Sequence, residues 1–592
     1  MDNTQPAMYN RNKKRKSSFL VMAKKFAKKG KFGKGSQIDE EKYHYFLRVR
    51  ETNKAENFQT DGERGLFANN VLVETEGKEV EYSSNQLASR VIEELLDWAS
   101  GDALSRYMRV FGEDLRPVFC DQFASHVLQK LIVIAATGGT RGGKAGGGEV
   151  PGKAAHREWL LKVARYALNN LEEFVRDTHA NQVTRAVLEC LAGMTPRSTA
   201  DARAVPESVD VPPAHRELLE EFGRRVEAWP RLPEMVYTDL TAGFVQTLLL
   251  ALKVKKRKLA HSLVRKLLDE CLAVPEPGDD AKGPGDAKDG PPLEPQRLPV
   301  FASSSASRVL DVAIMVASSK LRTQIYARCF INNMLPLSKL PYSNFCIQRL
   351  LNCHKVKEEV EAMYDELGPN LGQLLGSGKT GVVLSLGQAC QRLETRQGSF
   401  MQHLAEALQC KNKQEFVPLV LQLSPAAKWE DTPPVHLHGS LLVQTMLRFN
   451  KPISVVSGLL AMAPARLRDV LSDPKGCHIT DVFVSSEYVG AKSREKLVVA
   501  LEEQYVRLAC SKHGSRSLDA LWKASGPKLR ERIVKELAGK EAVLDGDRYG
   551  CFVAQNLGVG LYRRQERAWR EAQAKQVNTR QLFADIIGGR PS

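Results

Sequence analysis

Asn344, Phe345 and Gln348 stand in the run Ser-Asn-Phe-Cys-Ile-Gln that begins at Ser343. Residues three and four apart share one face of a helix. These three side chains therefore project together, while Cys346, Ile347 and Leu350 lean the other way. The projecting set offers two hydrogen-bonding amides with a flat ring between them. That is equipment for reversible recognition, and no feature of the chain argues for catalysis.

The same six-residue pattern recurs. A small or polar residue comes first. The second and sixth positions are mostly hydrogen-bonding, the third is commonly long or planar, and the fourth and fifth are mostly apolar. The first-half copies start at Ala88 (Ser89, Arg90, Glu93), Ala124 (Ser125, His126, Gln129), Ala180 (Asn181, Gln182, Arg185), Ala242 (Gly243, Thr247) and Ala306 (Ser307, Asp311). Ser343 opens the sixth, and Lys379 (Thr380, Leu384) and Gly439 (Ser440, Gln444) the next two. The last begin at Gly476 (Cys477, Asp481), Gly514 (Ser515, Asp519) and Gly550 (Cys551, Phe552, Gln555). The eleven copies lie 36, 56, 62, 64, 37, 36, 60, 37, 38 and 36 residues apart. A unit of about 36 residues holds two or three helices and cannot bury its own apolar face. Stacking buries it and sets the polar triplets side by side, one rung per repeat.

The long intervals have causes. Gly138–Gly152 is glycine-rich, Arg197–Pro213 carries three prolines, and Val274–Pro299 mixes Pro, Gly, Asp and Lys. Each reads as one repeat plus a flexible insertion. The 60-residue interval before Gly439 has no such break and leaves extra helical turns or a degenerate unit as readings. Elsewhere Leu, Val, Ala and Arg recur at three and four. The expected fold is all-α: a curved α-solenoid of about eleven repeats over residues 39–590, behind a disordered basic tail over 1–38.

The net charge is +16 over 592 residues, and eleven basic residues with no acidic one lie between Arg11 and Lys34. About +5 remains for everything else, so the basic excess sits mainly in the tail. Such a block reads as a nuclear or nucleolar import signal that also touches phosphates, or as a plain solvated tail. Lys253, Lys255, Lys256, Arg257 and Lys258 form a second run, either a phosphate contact or a solvated face. Eleven scattered cysteines include no Cys-x-x-Cys pair, no metal site is expected, and the usage fits a reducing compartment. The first 40 residues lack a secretory core, and no apolar run approaches the roughly 18 residues of a membrane span. A soluble intracellular protein is expected. Gly376-Ser-Gly-Lys-Thr380 resembles part of a phosphate-cradling loop, but the glycine needed five residues before Gly378 is Gln373.

With these residues in place, the chain resembles the Pumilio (PUF) repeat family. That family reads single-stranded RNA at about one base per repeat with two or three side chains. The resemblance implies that Asn344 with Gln348 favours uracil, Cys551 with Gln555 adenine, and Ser89 with Glu93 guanine. Arg90, His126, Phe345 and Phe552 sit where stacking side chains belong. By the same resemblance Ser125, Gln129, Asn181, Gln182, Arg185, Ser440 and Gln444 face RNA. Asn181 with Arg185, Gly243 with Thr247, and Thr380 with Leu384 depart from the family's pairs, as do the three aspartate rungs. Eleven repeats with insertions look most like its nucleolar members. That likeness implies a non-catalytic, cofactor-free monomer in the nucleolus, meeting ribosomal RNA precursor and preribosomal assembly proteins of the small subunit. The alternatives are a large-subunit counterpart and a peptide-binding scaffold of HEAT or armadillo type, whose units run longer.

Overall fold

A computed structural model describes residues 32–138, 153–194, 206–272, 298–425 and 434–574. Among these residues the elements are helices, with isolated bridges and no strand. The basic run before Phe32 and most of the three expected insertions lie outside the described residues. Two compact units emerge, one within 1–282 and 303–318, the other within 283–302 and 319–592.

The motif-bearing helices of the first unit are α1 (Gln86–Leu95), α2 (Ala124–Thr137), α3 (Thr178–Leu191), α4 (Asp239–Lys255) and α5 (Ser304–Val316). Those of the second are α6 (Ser343–Cys353), α7 (Thr380–Arg392), α8 (Leu437–Met446), α9 (His478–Ser485), α10 (Gly514–Ala524) and α11 (Arg548–Leu557). Within each unit every motif helix packs against the next. Each unit is thus a helical solenoid whose rungs follow chain order.

The second repeat shows the plan. An outer helix, Gly101–Glu113, starts after Ser100, whose hydroxyl accepts from the Ala103 amide. A short helix, Leu115–Cys120, leads into α2. On α2, Val127, Leu128, Leu131 and Ile132 are buried and His126 is exposed, the split a 3.6-residue period demands. Gly138, at φ 73°, ends the helix in the left-handed conformation.

Two local devices recur. The first is a cap three residues before the motif. Asn85, Asp121, Asp177, Ser303, His436, Ser511 and Asp547 each accept from first-turn amides of the helix that follows, and Asp473 accepts from Lys475 and Gly476 in the turn leading into α9. These are amides a helix cannot satisfy itself. The second device explains the small first position. A Cβ added at Gly439, Gly476, Gly514 or Gly550 would come within 3 Å of the carbonyl oxygen of Val420, Val470, Leu508 or Leu544. The short helix thus presses its last carbonyls onto the motif helix. Ala88, Ala124, Ala180 and Ala306 hold the same place with no exposed surface.

The unexplained interval before Gly439 holds one stretched repeat. Its outer helix is Gln397–Ala407 and its short helix Phe416–Gln422, and the excess lies in the connections to either side of the short helix. Among the described residues there is no additional unit. The tail boundary also shifts. Residues 32–38, assigned to the tail on composition, fold against α1: the Asn85 side chain donates to Phe32 and Ser36 carbonyls, and Ile38 is buried. Asn85 serves as cap and anchor at once.

Gly476→Ala should cost about 1–3 kcal/mol through overpacking against backbone. Gly526→Ala, where an added Cβ meets nothing within 4 Å, should not. Thermal melts of the two variants check this. A second expectation concerns pH. His215 is buried, and neither ring nitrogen has a hydrogen-bond partner. Burial, with Arg157 nearby, holds its pKa below the ordinary value of 6.5. The unfolded chain then binds the proton more readily, so stability falls as pH drops through about 6.5, by at most about 1.4 kcal/mol per pH unit. The melting temperature should be lower at pH 5.5 than at pH 7.5, and His215→Phe should flatten part of that slope.

Candidate nucleic-acid interface

On the motif helices, burial separates the second position from the third. At the third, Arg90, His126, Gln182, Arg308 and Arg516 are exposed, and Phe345 and Phe552 keep 60% of their surface in solvent. Not every rung joins in. Phe244 turns fully into the core, and the seventh and eighth repeats have only Gly381 and half-buried Leu441 there.

The second position points toward the seam between repeats. Ser89, Ser125, Asn181, Asn344 and Ser440 are all buried. Two of these side chains bond backbone carbonyls across the seam. The Asn181 amide is fully buried and donates to the carbonyls of Val175, at 2.8 Å, and Leu240, at 3.3 Å, so it ties the third repeat to the fourth. The fully buried Ser440 hydroxyl donates to the Lys475 carbonyl of the next repeat at 2.7 Å. The position lies in the first helical turn, directly beside the neighbour's connecting loop, and the nearest acceptors are backbone. Ser89 Oγ likewise reaches the Gln86 carbonyl.

Sixth-position side chains stay half-open. Glu93, Gln129, Arg185, Gln348 and Gln444 are partly exposed, and Gln555 is exposed. In the sixth repeat Asn344 donates to the carbonyls of Leu340 and Pro341 at 2.9 and 2.8 Å, which fixes its Oδ1 outward. That oxygen accepts from Gln348 Nε2 at 3.1 Å. Gln348 in turn lies against Gly381 of the next rung, where a Cβ would meet it within about 3 Å. Gln444 Nε2 donates to Ser440 Oγ in the same fashion. These amides are set in place before any ligand arrives. Gln129 Nε2, by contrast, is buried with no hydrogen-bond partner. Cys551 is half-buried, and its thiol donates to the Arg548 carbonyl.

Rungs that departed from the family's pairs bond to neighbouring repeats. Arg185 Nε donates to Thr247 Oγ1 at 3.0 Å and its guanidinium reaches Gln182 Oε1. Thr380 Oγ1 pairs with His438 Nδ1 at 2.8 Å. The short phosphate-loop likeness dissolves on the same evidence, since Lys379 Nζ donates to the Leu340 carbonyl. The second basic run is largely consumed too. Lys253 caps Val316, Lys255 caps Val209, and Lys256 pairs with Glu220, leaving Arg257 and Lys258 in solvent. Among the described residues no cluster of His, Cys, Asp or Glu has a metal-binding arrangement. The caps that precede most of the motif helices went unnoticed in the sequence. Their signal is a recurring Asn, Asp, Ser or His three residues before the small residue.

Comparison with known proteins agrees with this construction. Residues 77–552 match the NOP9-like PUF repeat domain. The chain is 28% identical to Nucleolar protein 9 of Mus musculus over 575 residues, covering 89% of this chain and 87% of that protein. It is 28% identical to Nucleolar protein 9 of Homo sapiens over 587 residues, covering 92% and 90%. Among solved structures, APUM23 with the RNA GGAAUUGACGG aligns over 90% of this chain and 99% of that one, at a TM-score of 0.68 and 20% identity. The motif rungs, their caps and a family match across most of the chain lead to one placement: this chain belongs to the NOP9-like PUF repeat family.

Proposed function

We propose that this chain is a non-catalytic RNA-binding protein of the nucleolus. It holds single-stranded segments of ribosomal RNA precursor along its rungs and acts in small-subunit maturation and pre-rRNA processing. The observation that carries the reading is the set of exposed flat or cationic third-position side chains, borne on motif helices of both units and accompanied by half-open sixth-position groups. Bases stack on such side chains and expose their edges to neighbouring amides and carboxylates. The names of the mouse and human relatives support the nucleolar placement. The basic run before Phe32 acts as import signal and adds salt-dependent affinity. The chain works as a monomer beside other preribosomal assembly proteins.

The rungs differ in what they do on this reading. Asn344→Ala with Gln348→Ala should weaken binding of the cognate RNA by about 1–3 kcal/mol, as should Phe345→Ala. Asn181→Ala should lower the melting temperature and leave RNA affinity within about twofold, because that amide serves the seam. Fluorescence anisotropy and thermal melts on the full chain separate the two effects. The decisive experiment is cross-linking of the full-length protein in cells, followed by sequencing of the bound RNA. Reads from the small-subunit precursor support the proposal. Reads from the large-subunit precursor assign the chain to that pathway, and protein partners without RNA make it a scaffold.

A further inference from the structure

The first repeat carries charge of the sign opposite to the chain as a whole. Residues 39–85 hold eleven acidic and six basic side chains, a net charge of −5 within a chain of +16. The eleven basic residues between Arg11 and Lys34 stand immediately before it. Such a surface repels phosphates and attracts a basic segment. The repeat also has an open groove of about 490 Å³ between the helices Glu40–Thr52 and Asp61–Val73. Tyr45, Phe67 and Val71 give it an apolar lining, and Glu41 and Glu74 bring carboxylates to it, beside Lys42 and Arg48. Leu66 and Val73, one turn to either side of Asn70 on the second helix, keep 70% and 56% of their surface exposed. This end of the solenoid therefore has an apolar stripe with no neighbouring repeat among the described residues to cover it.

A matching segment lies in the chain itself, just before the described residues. Phe19, Met22, Ala23 and Phe26 recur at three and four, the spacing of one helix face, and Lys24, Lys25 and Lys28 fall on the other side. Only Gly30 and Lys31 separate residues 19–29 from Phe32. Phe32 is held in place: its carbonyl accepts from Asn85, and its ring lies 5.8 Å from that of Tyr43 on the helix Glu40–Thr52. The chain thus enters the repeat beside a wall of the groove. Eleven residues span about 16 Å as a helix, within the roughly 20 Å of that wall.

We propose that the groove of the first repeat is the docking site for residues 19–29 of the same chain. Phe19, Met22 and Phe26 cover the apolar lining and the exposed Leu66 and Val73, and the flanking Lys24 and Lys25 meet the carboxylates around it. Glu74 now pairs with Lys42 at 3.2 Å, with the two side chains 55% and 32% exposed. A pair that open exchanges one lysine for another at little cost. Docking withholds lysines of the basic run from other polyanions until one of them displaces the segment. The acidic repeat is then a built-in competitor for the basic run.

The test is hydrogen–deuterium exchange of the full-length protein without RNA at low salt, read on peptides within residues 19–29 against the rate of an unprotected chain. Exchange in wild type should be slowed by about fivefold or more. Two double variants probe the two halves of the contact: Leu66→Ser with Val73→Ser, and Glu41→Gln with Glu74→Gln. All four side chains are exposed, so the repeat keeps its fold. Each double variant should cut the protection by about half or more, and high salt should act like the second. Unprotected exchange in wild type overturns the proposal. Protection that persists in either double variant belongs to the segment alone or to another surface, and overturns it as well. Protection that grows with protein concentration places the segment on a second copy and overturns the contact within one chain.

Discussion

Backbone carbonyls at the end of a short helix are pressed against the first turn of the motif helix that follows. Val420, Val470, Leu508 and Leu544 supply them in the second unit, and only glycine fits beneath. Alanine fills the corresponding places of the first unit without exposed surface. This contact fixes the depth at which each motif helix sits. Depth in turn decides which motif positions reach solvent. The second faces the seam, the third stands clear, and the sixth lies between them. At those four glycines a side chain would have to lift the helix, and every rung position on it would move together.

Polar groups follow the same geometry. Each motif helix starts with orphan amides, and a residue three places upstream accepts from them in seven repeats. With the amides satisfied, the second-position side chains are free to bond across the seam, as Asn181 and Ser440 do. Hydrogen-bonding capacity is thereby divided between cohesion and recognition. A side chain bonded to two buried carbonyls cannot change partners cheaply. The division explains why rungs without edge-reading pairs still have defined structure: Arg185 with Thr247 and Thr380 with His438 join neighbouring repeats.

Much of this was legible in the residues. Eleven phased motifs announced stacked helical units. The exposure of Phe345 and Phe552 also follows from helical spacing. What the sequence concealed was competition for the second position. A Ser or Asn on a helix looks alike whether its partner is a ligand or a neighbouring carbonyl, and the carbonyl belongs to a residue up to 59 positions away. The lysine run at the end of α4 misled for the same reason, because Lys253 and Lys255 reach carbonyls 63 and 46 residues distant. Charge is visible in a string of letters, but its partner across a fold is not. The stretched eighth repeat was ambiguous because its excess lies in connections of ordinary composition.

All the departures from the 36-residue period enter outside the motif helices. The helices flanking them still pack as direct neighbours: α2 with α3, α3 with α4, α4 with α5, and α7 with α8. Closing a longer loop costs only about 0.6 kcal/mol for each doubling of its length. Rung order is therefore insulated from chain length. Such a scaffold can acquire, lengthen or lose surface loops over evolutionary time while the spacing of its rungs stays fixed, and new appendages can be tried without disturbing what the rungs already hold.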